Sequence, residues 1–420
     1  MPSTLLRNAY ALFALQIANY VIPLLTLPYL VRHLGAEAYG WLAFSAAVNF
    51  YFVLCVDAGM NTYASRELSR LDSERNSRRL QDAGALVIHV TALKTLLLIA
   101  CSLLLWLCLC LIPSWQSQSS LFAWGFLTVA GSVLFPTWLF QGLQIMHHTL
   151  ICGVAGRLLA TCGIFLWVNS PEDLLWAAAL QSSATLLSGL LALPLILALP
   201  GLQWSWPRWS GVLAVAKNSR HLAASEYALT ALANSTVFLL GTVQSKEVVG
   251  IFAAIEKTLR AAASLFMPII QAAQPSVVQS WYRQKAQEIP NSLQTWSWRL
   301  LMLTMMCSAL GYGLSEWGLS LLFGQVTSGY VHWAKILCAW LPFYVANAML
   351  GSWWWIASGR EHAYAKRTLP GVVFQATVFA MALFTGSPEL ALWIWVLGEF
   401  GMTCLLTYQS GIWPVRTLGA

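Results

Sequence analysis

The chain has 420 residues, of which 23 are Lys or Arg and 16 Asp or Glu, together 9%, against roughly 25% in an ordinary soluble protein. With 58% hydrophobic residues and 22 Trp, too little polar surface remains to cover a water-facing body; a soluble globular protein is excluded, as are a disordered chain, a collagen-like chain and a disulfide-rich secreted module. A net charge of +7 invites a nucleic-acid partner, but such a protein gathers its Lys and Arg on a soluble face, so no nucleic acid is expected.

A transmembrane helix needs about 20 mostly apolar residues to cross a hydrocarbon core of about 30 Å. In chain order, twelve runs qualify: 9–31, 41–63, 84–111, 119–143, 149–169, 173–199, 220–243, 249–273, 300–323, 330–357, 369–386 and 389–412. None alternates with the period of two that a barrel strand requires, and open loops or sheet edges would leave backbone groups unsatisfied in lipid, so an all-α integral membrane protein is expected. The first run is longer than a signal-peptide core and has no small-residue cleavage site, so it reads as retained.

With the N-terminus in the cytoplasm, the segments on that side hold sixteen Lys or Arg, and the outside segments hold two, Arg32 and Lys246. This asymmetry over an even number of spans predicts that both termini are cytoplasmic. Trp206, Trp209, Trp281, Trp296, Trp298 and Trp353 to Trp355 cluster near the inner boundary, where they read as interface anchors. The longest connections, 64–83 and 274–299, are too short for a soluble catalytic domain.

Arg7-Asn8 and Lys217-Asn218 begin spans one and seven, and Glu37-Ala-Tyr-Gly40 and Glu247-Val-Val-Gly250 precede spans two and eight, each pair at an offset of 210 residues. That offset is half the chain. It predicts two parallel six-helix lobes around a central cavity, an N-lobe at 1–202 with spans one to six and a C-lobe at 203–420 with spans seven to twelve.

Ten charged residues fall within spans: Lys94, Arg157, Lys257, Arg260 and Lys335, balanced by Asp57, Glu226, Glu256, Glu316 and Glu399. An ionised group facing lipid costs at least about 2.5–3.5 kcal/mol, so these should face a wet cavity or one another. Lys335 and Glu316 lie near outer helix ends and can snorkel. Glu256 and Arg260 are four apart and can pair along one helix face, while the surplus charge of Lys257 beside them suits an anionic ligand. Lys94 and Arg157 have no acid within helical reach. Either a cross-helix partner such as Asp57 answers them, or they line a cationic cavity that holds phosphate oxygens. Asp57, Glu226 and Glu399 are candidates to carry protons or bind Na⁺.

Asn8, Gln16 and Asn19 share one face of the first span, and Pro23 and Pro28 can break that helix; the stripe serves either a moving cavity wall or interhelical packing. All nine Cys lie inside spans without a C-x-x-C pair, so they read as packing residues. There is no Walker-type phosphate loop, and His147-His148 reads as a solvated turn. No metal or cofactor is expected, apart from a coupling H⁺ or Na⁺.

Several stretches carry a family resemblance. They are Pro23-Leu-Leu-Thr-Leu-Pro-Tyr-Leu-Val-Arg-His-Leu-Gly35 through Gly40, Asp57-Ala-Gly-Met-Asn61 running into Ser65-Arg-Glu67, and Trp138-Leu-Phe-Gln-Gly142. In the second half they are Val249-Gly-Ile-Phe-Ala-Ala-Ile-Glu-Lys257, Leu265-Phe-Met-Pro-Ile-Ile-Gln271, and the segment from Leu341-Pro342 to Gly359-Arg-Glu361. Over nearly its whole length the chain resembles the polysaccharide-transport branch of the MOP exporter superfamily, the Wzx-type flippases of O-antigen and related lipid-linked oligosaccharides. It departs from the family in reading Ala58-Gly-Met-Asn61 where an aromatic-Gly-aromatic-Asn pattern is common, and in its heavy use of Trp. The resemblance implies an undecaprenyl-diphosphate-linked oligosaccharide moved from the cytoplasmic to the periplasmic leaflet of the bacterial inner membrane, by alternating access coupled to an ion gradient, with a polysaccharide polymerase and chain-length machinery as possible partners. On that reading Lys94, Arg157, Lys257 and Arg260 are the candidates for diphosphate and sugars, and Asp57, Glu226, Glu256 and Glu399 those for coupling or gating. The competing readings are a MATE-type drug or cation exporter, which predicts an acid-dominated cavity, and a polytopic glycan polymerase or ligase, which needs a larger external loop.

Overall fold

In the computed structural model the described residues are 2–73, 79–199, 206–222, 228–283, 291–324 and 328–410. Every element among them is helical. The first half contains α1 (Pro2–Asp57), α2 (Met60–Ser73), α3 (Arg79–Leu111), α4 (Pro113–Gln116), α5 (Ser119–Gly125), α6 (Leu127–Leu134), α7 (Thr137–Gly142), α8 (Met146–Trp167) and α9 (Leu174–Leu197). There follow α10 (Trp209–Leu222), α11 (Ala228–Ala233), α12 (Ser235–Val243), α13 (Lys246–Ser264), α14 (Met267–Arg283), α15 (Asn291–Gly313), α16 (Ser315–Phe323), α17 (Ser328–Cys338), α18 (Trp340–Met349), α19 (Glu361–Phe384) and α20 (Pro388–Ser410). One turn of π-helix, Leu350–Ile356, continues α18.

Among the described residues nine helical stretches are long and apolar enough to cross a membrane, the first of them Ala18–Arg70. That first stretch holds two of the expected spans. It breaks at Gly35, whose φ of 79° and ψ of 168° belong to a backbone region essentially restricted to glycine. The helix runs on through Pro23 and Pro28, so the glycine makes the break that the two prolines suggested. No heavy atom lies within 4 Å of a Cβ placed on Gly35, which leaves backbone strain as the whole cost of a side chain there. Gly35→Ala is therefore expected to lower stability by about 1–3 kcal/mol, read as a depressed melting temperature in detergent; an unchanged Tm would mean that the turn relaxes freely.

The exterior is apolar. On α3, Leu103, Trp106 and Leu111 are 62%, 65% and 70% exposed, and on α8 Leu166 is 68% exposed. Large apolar groups standing outward all along a helix have lipid as their only compatible solvent.

The chain forms two compact units, Met1–Asn234 and Ser235–Ala420. The sequence repeat places a lobe boundary at 202/203 by internal symmetry, whereas these units divide by packing: α10 joins the first unit, against α2 and α3. In the first unit Met60, Leu68, Val90, Trp138, Leu139 and Phe140 form a buried cluster where α2, α3 and α7 meet. The Trp138 to Gly142 motif gains a physical reason here. Leu68 presses so close to Gly142 that an added Cβ would stand 2.8 Å from it. Tyr29 of the first motif donates its hydroxyl proton to the carbonyl of Val168 at 2.8 Å, tying α1 to the end of α8.

In the second unit α13 is buried on most of its faces by Ile251, Phe252, Ala254 and Ile255. The indole of Trp281 donates to the carbonyl of Trp353 at 2.8 Å, and that of Trp353 to the carbonyl of Ile270 at 2.9 Å. Trp353, Trp354 and Trp355 are only 1%, 3% and 1% exposed. These three and Trp281 are core residues, which corrects their reading as interface anchors: the π-helical turn widens the helix and carries three successive indoles inward. Trp206, Trp209, Trp296 and Trp298 are exposed, as anchors are.

Candidate functional site: buried charge clusters in each unit

The first cluster lies at a helix joint. Asp57 ends α1 and Asn61 stands in the first turn of α2, with Ala58 (φ 40°) and Gly59 (φ 74°) between them. Two consecutive residues of positive φ redirect the chain, and Gly59 adopts this at no steric cost. Lys94 of α3 reaches across the joint and donates to Asp57 at 2.8 Å and to Asn61 at 2.7 Å. The lysine is 3% exposed and the aspartate side chain 9%. Such an ion pair out of water survives only with good geometry and extra hydrogen bonds, and Asn61 supplies one. The Asp57 to Asn61 motif is thus a bend with an acceptor on either side, clamped by one ammonium. Of the two readings open for Lys94, the structure shows the cross-helix pair with Asp57.

Arg157 of α8 is half-buried and donates to the side-chain oxygen of Asn19 on α1; no carboxylate stands at ion-pair distance from it among the described residues. Asn19 is the described member of the polar stripe, the side chains of Asn8 and Gln16 lying outside the described residues.

The second cluster joins α13, α18 and α20. Arg260 pairs with Glu256 one turn earlier at 2.8 Å. Its guanidinium carbon is 5.8 Å from the centroid of the Trp340 ring, and Trp340 stacks on Tyr344 at 4.3 Å and on Trp395 at 5.1 Å. Glu399 lies within electrostatic range of Arg260 and accepts a 2.6 Å hydrogen bond from the side-chain amide of Asn347. The amide oxygen of Asn347 accepts in turn from the Thr403 hydroxyl at 2.8 Å. One carboxylate thus holds the guanidinium over an aromatic floor and a second stands within its field, a setting that strengthens every charge interaction by excluding water. Lys257 follows Glu256 on α13 and is half-buried, without a hydrogen-bond or ion-pair partner among the described residues. With Glu256, Arg260 and Glu399 it brings the formal charge of the cluster to zero.

Of the other candidates, Glu226 lies outside the described residues. Lys335 is half-buried over the ring of Tyr312, 5.3 Å from its centroid, and Glu316 is exposed in the first turn of α16. No group of three or more His, Cys, Asp and Glu stands ready to hold a metal ion among the described residues. Asn61, Trp340, Tyr344, Asn347, Trp395 and Thr403 belong to the clusters and carried no signal as site residues; only Asn61, one helical turn after Asp57, had a spacing that hinted at it.

Two solved membrane transporters share this architecture. An inward-facing MATE family multidrug resistance transporter of the MOP superfamily superposes with a TM-score of 0.70 at 13% identity, over 94% of this chain and 97% of its own. The lipid II flippase MurJ, in an inward closed conformation, superposes with a TM-score of 0.73 at 11% identity, over 98% of this chain and 88% of its own. At these identities the likeness is one of fold, the all-α membrane fold of that superfamily.

The chain belongs to the polysaccharide biosynthesis protein family, whose profile matches residues 5–281. A protein of Escherichia coli (strain K12), provisionally named an O-antigen transporter, is 28% identical over 283 residues, 65% of this chain and 65% of its own length. A protein of Shigella dysenteriae with the same provisional name is 26% identical over 271 residues, 64% of this chain and 66% of its own length. The match therefore spans just under two thirds of these relatives.

Proposed function

We propose that the protein is a flippase that carries an undecaprenyl-diphosphate-linked oligosaccharide from the cytoplasmic to the periplasmic leaflet of the bacterial inner membrane. Transport proceeds by alternating access driven by an H⁺ or Na⁺ gradient, with both termini in the cytoplasm. The protein binds and moves a glycolipid and forms no bond in it, handing the product to a polymerase with its chain-length partners. The family membership supports a role in polysaccharide biosynthesis, and the provisional names of the two relatives point to O-antigen units.

The observation that carries the reading is the second cluster. Lys257 brings a second positive charge, with no hydrogen-bond or ion-pair partner among the described residues, next to an Arg260 already oriented by Glu256 over an aromatic floor. A diphosphate is the dianionic partner that a point charge and a guanidinium fork bind together, and the buried indole of Trp340, stacked on Tyr344 and Trp395, fixes the guanidinium from below. Glu399, with its Asn347 and Thr403 relay, is the group assigned to the coupling ion, because Arg260 is hydrogen-bonded to Glu256 and uptake of one cation or proton neutralises the second carboxylate of the cluster. The Lys94 and Asp57 pair serves gating at the helix joint, and Arg157 contributes to holding the anion.

Loss of charge-assisted hydrogen bonds of about 1.5–3 kcal/mol each makes the double variant Lys257→Ala/Arg260→Ala slower than wild type by at least about tenfold. The measurement is translocation of a labelled lipid-linked oligosaccharide by the purified protein in liposomes, with and without an imposed ion gradient. Transport of cationic dyes without transport of the glycolipid would replace this proposal with drug export.

A further inference from the structure

Two hollows lie end to end on the second unit. The first, about 360 Å³, is walled by residues of α15, α18 and α20, among them Gln294, Trp298, Phe343 and Thr407. The second, about 500 Å³, is walled by α15, α17 and α20 through Tyr312, His332, Lys335 and Trp393. They share Met305, Ser308 and Ala339, so they form one groove. From Gln294 to Tyr312 along α15, at 1.5 Å per residue, the groove is about 27 Å long, close to the hydrocarbon thickness of a bilayer.

The groove is open to the lipid phase: Trp298, Met305 and Trp393 are 51%, 58% and 42% exposed. Its middle offers nothing polar to a visitor, because the hydroxyl of Ser308 already donates to the carbonyl of Cys338 at 2.7 Å. One end differs. There Lys335 lies over the Tyr312 ring and has no carboxylate at ion-pair distance among the described residues. The neighbouring acid, Glu389, is engaged with His332 at 2.9 Å and so leaves Lys335 as the charge at that rim. The opposite end, at Gln294 and Thr407, is polar and uncharged.

The geometry points to a structural lipid site: an anionic glycerophospholipid, phosphatidylglycerol in chemical class, with its phosphate on Lys335 and an acyl chain lying along Ser308 and Ala339. An apolar trough in contact with the bilayer takes a hydrocarbon chain, and a lone ammonium at one rim selects the lipid whose phosphate is not offset by an amine of its own. The groove borders the second cluster at Thr403 but takes in neither Glu256 nor Arg260, and its occupancy does not depend on what the protein transports. Its occupant wedges α15 against α17 and α20.

The test is native mass spectrometry of the full chain extracted from vesicles containing equal phosphatidylglycerol and phosphatidylethanolamine, with undecaprenyl phosphate added as a competitor. Wild type retains one phosphatidylglycerol in preference to phosphatidylethanolamine. Lys335→Gln loses that preference by about tenfold, the loss of one charge-assisted contact, and Lys335→Arg keeps it. Ala339→Leu, which fills the shared wall, lowers retention of both phospholipids. Equal retention of the two phospholipids by wild type, unchanged selectivity in Lys335→Gln, or displacement of phosphatidylglycerol by undecaprenyl phosphate would each overturn the assignment.

Discussion

Lys94→Met is expected to lower the stability of the first unit by about 3–5 kcal/mol, the usual result of removing one partner from a buried ion pair. The methionine fills a similar volume, so packing is nearly kept and the loss is electrostatic. Asp57, 9% exposed at its side chain, is left in the membrane interior without its countercharge, and Asn61 loses the donor that held it at 2.7 Å. The joint at Ala58 and Gly59 is then clamped from neither side, and α2 is free to change its direction relative to α1. Melting of the detergent-solubilised protein should fall by many degrees, and trypsin should gain access near the end of α2. Lys94→Met/Asp57→Leu separates the cause: with both charges gone, apolar replacement of a buried pair is close to neutral, so most of the lost Tm returns. A single variant as stable as wild type would show that water reaches Asp57.

The second large effect concerns shape alone. Gly131 of α6 faces α9 so closely that an added Cβ would stand 2.4 Å from the backbone nitrogen of Leu186 and 2.7 Å from the carbonyl carbon of Thr185. Backbone atoms of a packed helix cannot rotate aside as a side-chain tip does, so Gly131→Ala must push the two helices apart. Overpacking of this kind costs about 1–3 kcal/mol, and Gly131→Leu more. Close approach through glycine is how helices gain contact energy within lipid, where no hydrophobic force drives them together. Gly318→Ala serves as the control, since nothing lies within 4 Å of its added Cβ and the change removes only the helix cost of a glycine. A drop in Tm and in the monodisperse fraction for Gly131→Ala, set against an unchanged or raised Tm for Gly318→Ala, is the expected pair of results.

How much of the site was legible depends on separation along the chain. Glu256 and Arg260 are four residues apart, and one helix face suffices to join them. Lys94 and Asp57 are 37 apart, and a sequence offers their pairing only as one of two alternatives. Asn347 and Glu399, 52 apart, gave no sign of each other, because polar side chains in membrane helices most often serve packing. The three tryptophans at 353 to 355 misled for a different reason: an indole suits a membrane boundary and a protein core equally, and only the π-helical turn decides between them.

What the sequence determined by itself was the membrane character and the helical class. Lipid offers no hydrogen bonds, so a long apolar run has one admissible backbone conformation whatever surrounds it. The break at Gly35, the clamp that Lys94 places across the α1 and α2 joint, and the hydrogen bond of Asn347 to Glu399 were decided by the tertiary structure, because each depends on how the chain packs around it. Lipid constrains every residue it touches in the same way, whereas the pairing of buried charges is set by the few neighbours that the fold brings within 3 Å or so of hydrogen-bond reach.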